Sequence, residues 1–482
     1  MKNQNRVLRL YPFSYFSINN HSLIYKFLQV LLSISVRSYF KSITVKKSSV
    51  IPDEGPMLIV ANHPSTFTDP IVIGLQMKQK IYFLAKAEVF KSGFAKWLLP
   101  KFNMIPLHRK QDDPTQMHKN EETFDKCFEH LAKKGTIMIF PEGVSLTQRK
   151  LEKIKTGAAR IALGAEAAND YKLGVKILTV GLNYSNPHKF QSHLFINMDK
   201  PIEVLDFAEK HKQDSFKAAQ ELTDLIRQKL EHQIIMIEDA ETDNLIKNIE
   251  TIYKSKLIES TVDETIKSLP EKEQDFAMTK RIVDAVNYFK VNQPERVKRI
   301  SKMADDYFTS LDRLHLNDHL LKNFSKSGSV FVRAVGAFLY LTIGFPFWVF
   351  GVINNYLPYK LPYYIARAIS KKRDWHGALF ITSGVFTFII FYSLQLYLVQ
   401  RFFHYEYAGW LTLAYFIFLP LSGFFAFAYY RRFTTIRGNW KVFNLFMKRA
   451  TLISQLITTR KNIEEEFEKA REEFINPVSF HP

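Results

Sequence analysis

Met57-Leu58-Ile59-Val60-Ala61-Asn62-His63-Pro64-Ser65-Thr66-Phe67-Thr68-Asp69-Pro70-Ile71 is the stretch from which the rest of the chain is read. Its first five residues are apolar and Val/Ile-bearing, which predicts a buried strand over 57–61. Pro64 prevents the strand from continuing, because it has no backbone N–H to donate. Asp69 stands just before Pro70, where a helix over 70–77 is predicted to begin. A histidine leaving a strand and a carboxylate at the next helix start can meet across a tight loop. That pairing of base and orienter is what removing a proton from a hydroxyl requires. The same residues also suit a loop histidine and a helix-capping aspartate, so the choice rests on the remaining sequence.

The chain has 482 residues, beyond the size at which a single core usually stops growing, so at least two regions are expected. A net charge of +19 calls for an anionic partner, either nucleic acid or an anionic membrane face. The 42 Phe and 22 Tyr, with apolar residues gathered late in the chain, favour the membrane. The single cysteine, Cys127, excludes an intramolecular disulfide. It is expected on a helix face shared with Phe124, Phe128 and Leu131.

Residues 1–52 hold eight Lys or Arg and no Asp or Glu. Within them Leu23–Phe40 carries a polar stripe of Lys26, Gln29, Ser33 and Arg37 opposite Ile24, Phe27, Leu28, Leu31 and Leu32. This reads as a helix lying in a membrane interface, with packing on its own domain as the alternative. From 53 to 205 strands and helices alternate, which predicts an α/β domain with a largely buried sheet. The strands are expected at 57–61, 81–85, 136–140, 176–182 and 194–198, with helices at 94–99, 116–133 and 156–169. Residues 206–328 read as a charged helical insertion.

Composition then changes abruptly. Within a membrane region over 329–432, Ser329–Leu357 carries only Arg333 as a charge, and Gly377–Gln400 and Ala408–Tyr430 carry none. The last two are long enough to span a bilayer and form a hairpin through Arg401–Tyr407. Lys371, Lys372 and Arg373 precede the hairpin and Arg431, Arg432 and Arg437 follow it, which places both its ends in the cytoplasm. A single crossing by the first segment would then put residues before 329 outside. Gly344-Phe345-Pro346 is therefore expected to break or kink the segment, making 329–357 a re-entrant or interfacial helical hairpin that returns to the cytoplasmic side. Residues 433–482 read as a solvated or partner-binding helix and tail.

Three further stretches place polar residues just after strands. His108-Arg109 follows Asn103–Leu107. Phe140-Pro141-Glu142-Gly143-Val144-Ser145 follows the 136–140 strand, with Gly143 permitting close backbone approach to a ligand. Lys155-Thr156-Gly157 opens a helix. Open α/β sheets bind ligands at the carboxyl ends of their strands, so these groups are expected to converge on one crevice. There is no H-E-x-x-H, no cysteine pair and no phosphate-binding G-x-x-x-x-G-K-[ST] loop, so neither a metal nor nucleotide hydrolysis is indicated.

In this order, N-H-P-S-T-F-T-D, a downstream arginine, F-P-E-G and a lysine-glycine helix start resemble the glycerolipid acyltransferase superfamily over about residues 50–205. That superfamily includes the glycerol-3-phosphate and lysophosphatidate acyltransferases. Its usual pattern has four residues between His and Asp, whereas here Pro64 to Thr68 make five. The longer spacing is similar to the fungal-type glycerol-3-phosphate and dihydroxyacetone-phosphate branch. So are Gly181-Leu182-Asn183-Tyr184-Ser185-Asn186-Pro187-His188-Lys189-Phe190 and membrane segments after the catalytic domain. Asn103 replaces a glycine common among relatives, and Val144-Ser145 lacks the arginine of the usual E-G-T-R-S block.

The resemblance implies transfer of a fatty acyl group from acyl-CoA or acyl carrier protein to a glycerol-3-phosphate hydroxyl, with no cofactor and with the bilayer as partner. Lysophosphatidate or another lysophospholipid is the alternative acceptor. It further implies His63 as general base and Asp69 as its orienter, with Arg109, Glu142, Gly143 and Lys155 binding substrate; Glu142 could instead organise its loop. Asn183, His188 and Lys189 are weaker polar candidates. Outside this chemistry stand an inactive membrane scaffold, opposed by the intact motif residues, and a nucleic-acid binder, opposed by the bilayer-length segments.

Overall fold

The structure is a computed structural model that describes residues 7–9, 23–109, 115, 118, 120–261, 263–324, 330–371, 375–402 and 408–475. The expectations for Lys372 and Arg373, for most of residues 1–22, for 403–407 and for the tail beyond 475 lie outside the described residues. Two units divide the chain: Met1–Met236 with Ile365–Val385, and Ile237–Tyr364 with Phe386–Pro482.

The first unit is built on a sheet of β1 (Val7–Arg9), β2 (Ser42–Lys47), β3 (Met57–Ala61), β4 (Ile81–Lys86), β5 (Met104–Leu107), β6 (Thr136–Ile139), β7 (Lys176–Tyr184), β8 (His193–Met198) and β9 (Ile202–Glu203). Its order is β1-β2-β8-β7-β3-β6-β4-β5, with β9 beside β7. The run β7-β3-β6-β4-β5 is parallel throughout. Every residue of β3 is buried, because both faces of a parallel sheet are covered. Leu58 and Val60 face one core with Ile137 and Ile177, while Met57, Ile59 and Ala61 face the other with Met138 and Leu178.

Helices close both faces: α1 (Leu23–Tyr39), α2 (Thr68–Gly74), α3 (Gly93–Leu98), α4 (Asn120–Ala132), α5 (Gly157–Ala167), α6 (Ala208–Gln213) and α7 (Ser215–Gln233). Cys127 and Leu131 of α4 pack with Ile161 of α5 and with Leu222, Ile226 and Leu230 of α7. On the opposite face lie Val36 and Tyr39 of α1, Val72 and Ile73 of α2, and Ile381. Each such side chain removed from water contributes about 1.5–3 kcal/mol.

Three expected boundaries move. The sheet starts at β1 and β2, before residue 53, and α1 ends in this core, so these elements belong to the first unit. The unit runs past 205 through α7, whose apolar stripe is part of the core. The chain also returns to it at 365–385, where Phe380 meets Tyr39 at 5.7 Å between ring centroids.

The second unit comprises α8 (Ala240–Ile252), α9 (Lys254–Glu259), α10 (Glu264–Lys267), α11 (Glu271–Asn292), α12 (Pro294–Arg313), α13 (Asp318–Phe324), most of α14 (Val330–Ile369), most of α15 (His376–Phe402), α16 (Ala408–Lys448) and α17 (Ala450–Ile475). Asp239 caps α8 by accepting from the Thr242 N–H at 2.7 Å, and Pro294 opens α12 where no donor is needed. The tail expected to be solvated is instead part of this bundle: Ile453, Leu456, Ile463 and Phe467 of α17 are buried. Arg460 donates from Nε to Asp318 Oδ1 at 2.8 Å and from Nη2 to the Ile252 carbonyl at 3.0 Å.

Helices α14, α15 and α16 are long and apolar enough to cross a membrane. The break expected at Gly344-Phe345-Pro346 is absent, and α14 runs unbroken with Pro346, Pro358 and Pro362 inside it. A proline strips the carbonyl four residues earlier of its helical donor. For Pro358 that carbonyl is Asn354, and Gln395 Nε2 donates to it at 2.9 Å. For Pro362 it is Pro358, and Thr387 Oγ1 donates to it at 2.9 Å. Gly344 is a packing glycine, since a Cβ there would sit 2.8 Å from the Tyr429 ring. At Pro358 and Pro362 α15 supplies the missing donors, and at Gly344 and Gly351 α16 fills the glycine notches.

Candidate active site

His63 leaves β3 at the carboxyl end of the sheet, and Asp69 lies in the first turn of α2. The helix begins at Thr68 rather than Pro70, which points the carboxylate back towards the strand end. Its Oδ2 lies 2.8 Å from His63 Nδ1. Asp69 is fully buried and His63 is 19% exposed. Oδ2 also accepts from the Ser65 N–H at 2.7 Å, and Oδ1 accepts from the Tyr184 hydroxyl at 2.8 Å. Burial, then the neighbouring Asp69 charge, push the Tyr184 hydroxyl well above its usual pKa, so it remains a donor. An imidazole held at Nδ1 by a carboxylate presents its Nε2 lone pair to a hydroxyl. The ring lies flat on Phe140, 3.9 Å between centroids.

Glu142 reaches the same loop from the end of β6. One carboxylate oxygen accepts from the His63 backbone N–H at 3.0 Å and the other from the Glu152 N–H at 2.9 Å. Burial holds its carboxyl above the usual carboxylate range. Both oxygens are thus engaged in fixing loops, the organising role open to it from the sequence. Gly143 has φ +69°, a left-handed conformation that favours glycine. Its carbonyl accepts from the Arg109 guanidinium. A Cβ at Gly143 would lie 2.7 Å from Lys155 Nζ, so the ammonium occupies the space that glycine leaves. Arg109, Glu142, Gly143 and Lys155 therefore meet at one loop, and Glu142 ties that loop to the His63 backbone.

Other residues hold this geometry. Asn62 grips β7, accepting from the Leu182 N–H at 2.7 Å and donating to its carbonyl at 3.1 Å. Ser145 Oγ accepts from the Thr66 N–H at 2.9 Å, and Thr147 Oγ1 donates to the Pro64 carbonyl at 3.0 Å. Asn120 clamps both backbone groups of His108, next to Arg109. Among the weaker candidates, His188 bonds Thr147 at 2.9 Å, while Asn183 donates to the Gln233 carbonyl behind the sheet. Sequence reasoning gave no role to Asn62 or Tyr184. Asn62 was inside the quoted motif, and Tyr184 had no signal beyond its place in the G-L-N-Y stretch.

Residues 42–183 match the Acyltransferase family model. Glycerol-3-phosphate O-acyltransferase 1 of Saccharomyces cerevisiae is 30% identical over 231 residues, covering 46% of this chain and 29% of that protein. Glycerol-3-phosphate O-acyltransferase 2 of the same yeast is 26% identical over 260 residues, covering 54% and 33%. A chloroplastic 1-acyl-sn-glycerol-3-phosphate acyltransferase of Brassica napus is 26% identical over 150 residues, covering 31% and 39%. The chain therefore spans about a third of the length of these relatives. The strand-end histidine, its aspartate and the F-P-E-G turn all fall within the stretch that matches the Acyltransferase family model.

Proposed function

We propose that this protein is a membrane-bound glycerolipid acyltransferase that moves a fatty acyl group from acyl-CoA or acyl carrier protein to a hydroxyl of glycerol-3-phosphate. The observation that carries the reading is the buried His63–Asp69 pair, 2.8 Å apart, tied through Glu142 to a loop bearing Arg109 and Lys155. His63 Nε2 takes the acceptor hydroxyl proton as the oxygen attacks the thioester carbonyl carbon. The tetrahedral intermediate collapses, breaking the C–S bond, and the thiolate leaves with the proton from the imidazolium. An ester and a free thiol result, with no acyl-enzyme and no cofactor. Asp69 stabilises the imidazolium, and general base catalysis of this kind contributes about 10²–10⁴-fold. Arg109 and Lys155 take the acceptor phosphate, the guanidinium suiting bidentate contact.

The yeast relatives' names and the five-residue His–Asp spacing support glycerol-3-phosphate as acceptor. The Brassica relative's name supports lysophosphatidate as the second reading. Lys371 before the uncharged stretch Gly377–Gln400, and Arg431, Arg432 and Arg437 after the uncharged stretch Ala408–Tyr430, support a cytoplasmic catalytic unit. The test offers both labelled donors to full-length protein in lipid with glycerol-3-phosphate, dihydroxyacetone phosphate or lysophosphatidate. Transfer to glycerol-3-phosphate supports the reading. Transfer to lysophosphatidate alone keeps the chemistry and replaces the acceptor. No transfer by folded protein supports the scaffold alternative.

A further inference from the structure

We propose that Ser145 and Thr147, in the turn after β6, are positioning residues that hold Thr66 in a left-handed conformation and through it align Asp69 with His63. This rests on the reading of the chain as an acyltransferase. Thr66 has φ +39°, a region that a β-branched side chain rarely enters. It is buried, as are Ser65, Thr68 and Asp69 around it. A residue keeps such a conformation only where its surroundings over-determine it.

The pairing of base and orienter depends on this one residue. Pro64 to Thr68 must fold so tightly that His63 Nδ1 and Asp69 Oδ2 meet at 2.8 Å. Thr66, in their middle, reverses the chain, and the peptides on both its sides reach Asp69. Ser65, just before it, donates its N–H to Asp69 Oδ2 at 2.7 Å. The Thr66 carbonyl accepts from the Asp69 N–H at 3.3 Å. Relaxing Thr66 to a negative φ rotates one of these peptides away, and the carboxylate that orients the imidazole moves with it.

Residues 145–147 grip this loop at three points. The Leu146 N–H donates to the His63 carbonyl at 3.2 Å, and the Thr147 hydroxyl donates to the Pro64 carbonyl at 3.0 Å. Ser145 Oγ accepts from the Thr66 N–H at 2.9 Å, which fixes the peptide whose rotation sets the Thr66 φ. Thr147 has given its single hydroxyl hydrogen to Pro64, so His188 Nε2, 2.9 Å away, donates to its oxygen. His188 follows Pro187, whose carbonyl accepts from the Tyr39 hydroxyl at 3.0 Å. Tyr39 belongs to the core, so the clasp is anchored there. Ser145, in the block without the usual arginine, thus acts on the geometry of the His63–Asp69 loop.

A double-variant cycle in full-length protein in lipid tests this. Glycine enters the left-handed region without a Cβ penalty, so Thr66→Gly removes the need for the clasp. Ser145→Ala alone is expected to lower kcat about tenfold, which is ~1.4 kcal/mol of barrier, with donor and acceptor KM unchanged. Added to Thr66→Gly, the same substitution should cost under about twofold. Thr147→Val should follow Ser145→Ala in both backgrounds, and Ser145→Thr, which keeps a hydroxyl, should retain more of the rate than Ser145→Ala. Equal losses in the two backgrounds would overturn the proposal. So would a raised KM with kcat unchanged, which would make Ser145 a binding residue. If folded wild type transfers nothing, the enzymatic reading falls, and the cycle is read from Tm alone. Ser145→Ala should then lower Tm more with threonine at 66 than in Thr66→Gly, and equal shifts would overturn the clasp as well.

Discussion

At the scale of residues, the account depends on three bonds to one carboxylate. Asp69 accepts from His63, Ser65 and Tyr184. Tyr184→Phe removes one donor without touching the ring that abstracts the proton. It is expected to lower kcat several-fold with an unchanged acceptor KM, whereas Arg109→Ala should raise the acceptor KM. A rise in KM for Tyr184→Phe would show that the hydroxyl serves binding rather than positioning. Cys127 makes a separate prediction. Burial pushes its thiol up to about 12 from 9.0. A raised folded-state pKa contributes stability that is full below about pH 9 and lost as pH rises towards 12. The native thiol should resist alkylation at pH 8 and react at the rate of unfolding. Fast native alkylation would contradict its burial.

Elements show what the sequence could and could not reveal. β3 was legible because a Val/Ile run ended by Pro64 has few other readings. β2 was missed because Ser42-Ile43-Thr44-Val45-Lys46-Lys47 sits in a basic, helix-led segment, although only Ile43 and Val45 turn inward. Tyr184 could not be assigned because its bond spans 115 residues and exists only once β7 lies beside β3. The unbroken course of α14 was hidden for the same reason: the donors rescuing Asn354 and Pro358 come from Gln395 and Thr387, on another helix. Replacing these as Gln395→Leu and Thr387→Val should each cost about 0.6–2 kcal/mol, read as a lower Tm in lipid. Gly351→Leu should cost more, since even a Cβ would stand 2.3 Å from the Ser422 carbonyl oxygen. An unchanged Tm for Gly351→Leu would contradict the close packing of α14 on α16.

For the whole molecule, the lesson is that the units do not follow the linear boundaries. Residues 365–385 complete the core of the first unit, and α17 completes the bundle begun by α8. Truncation at residue 328 is therefore expected to destabilise the catalytic core, exposing Ile381's partners, and not merely to release it from lipid. Undiminished thermal stability of that fragment would contradict this. The central claim is that the buried His63–Asp69 pair performs acyl transfer. The most direct measurement compares wild type and His63→Ala, both full-length in lipid, for transfer of labelled acyl groups to glycerol-3-phosphate. The account predicts a loss of about 10²–10⁴-fold in the variant with its Tm preserved. Equal rates from the two proteins, or no transfer from folded wild type, would contradict it.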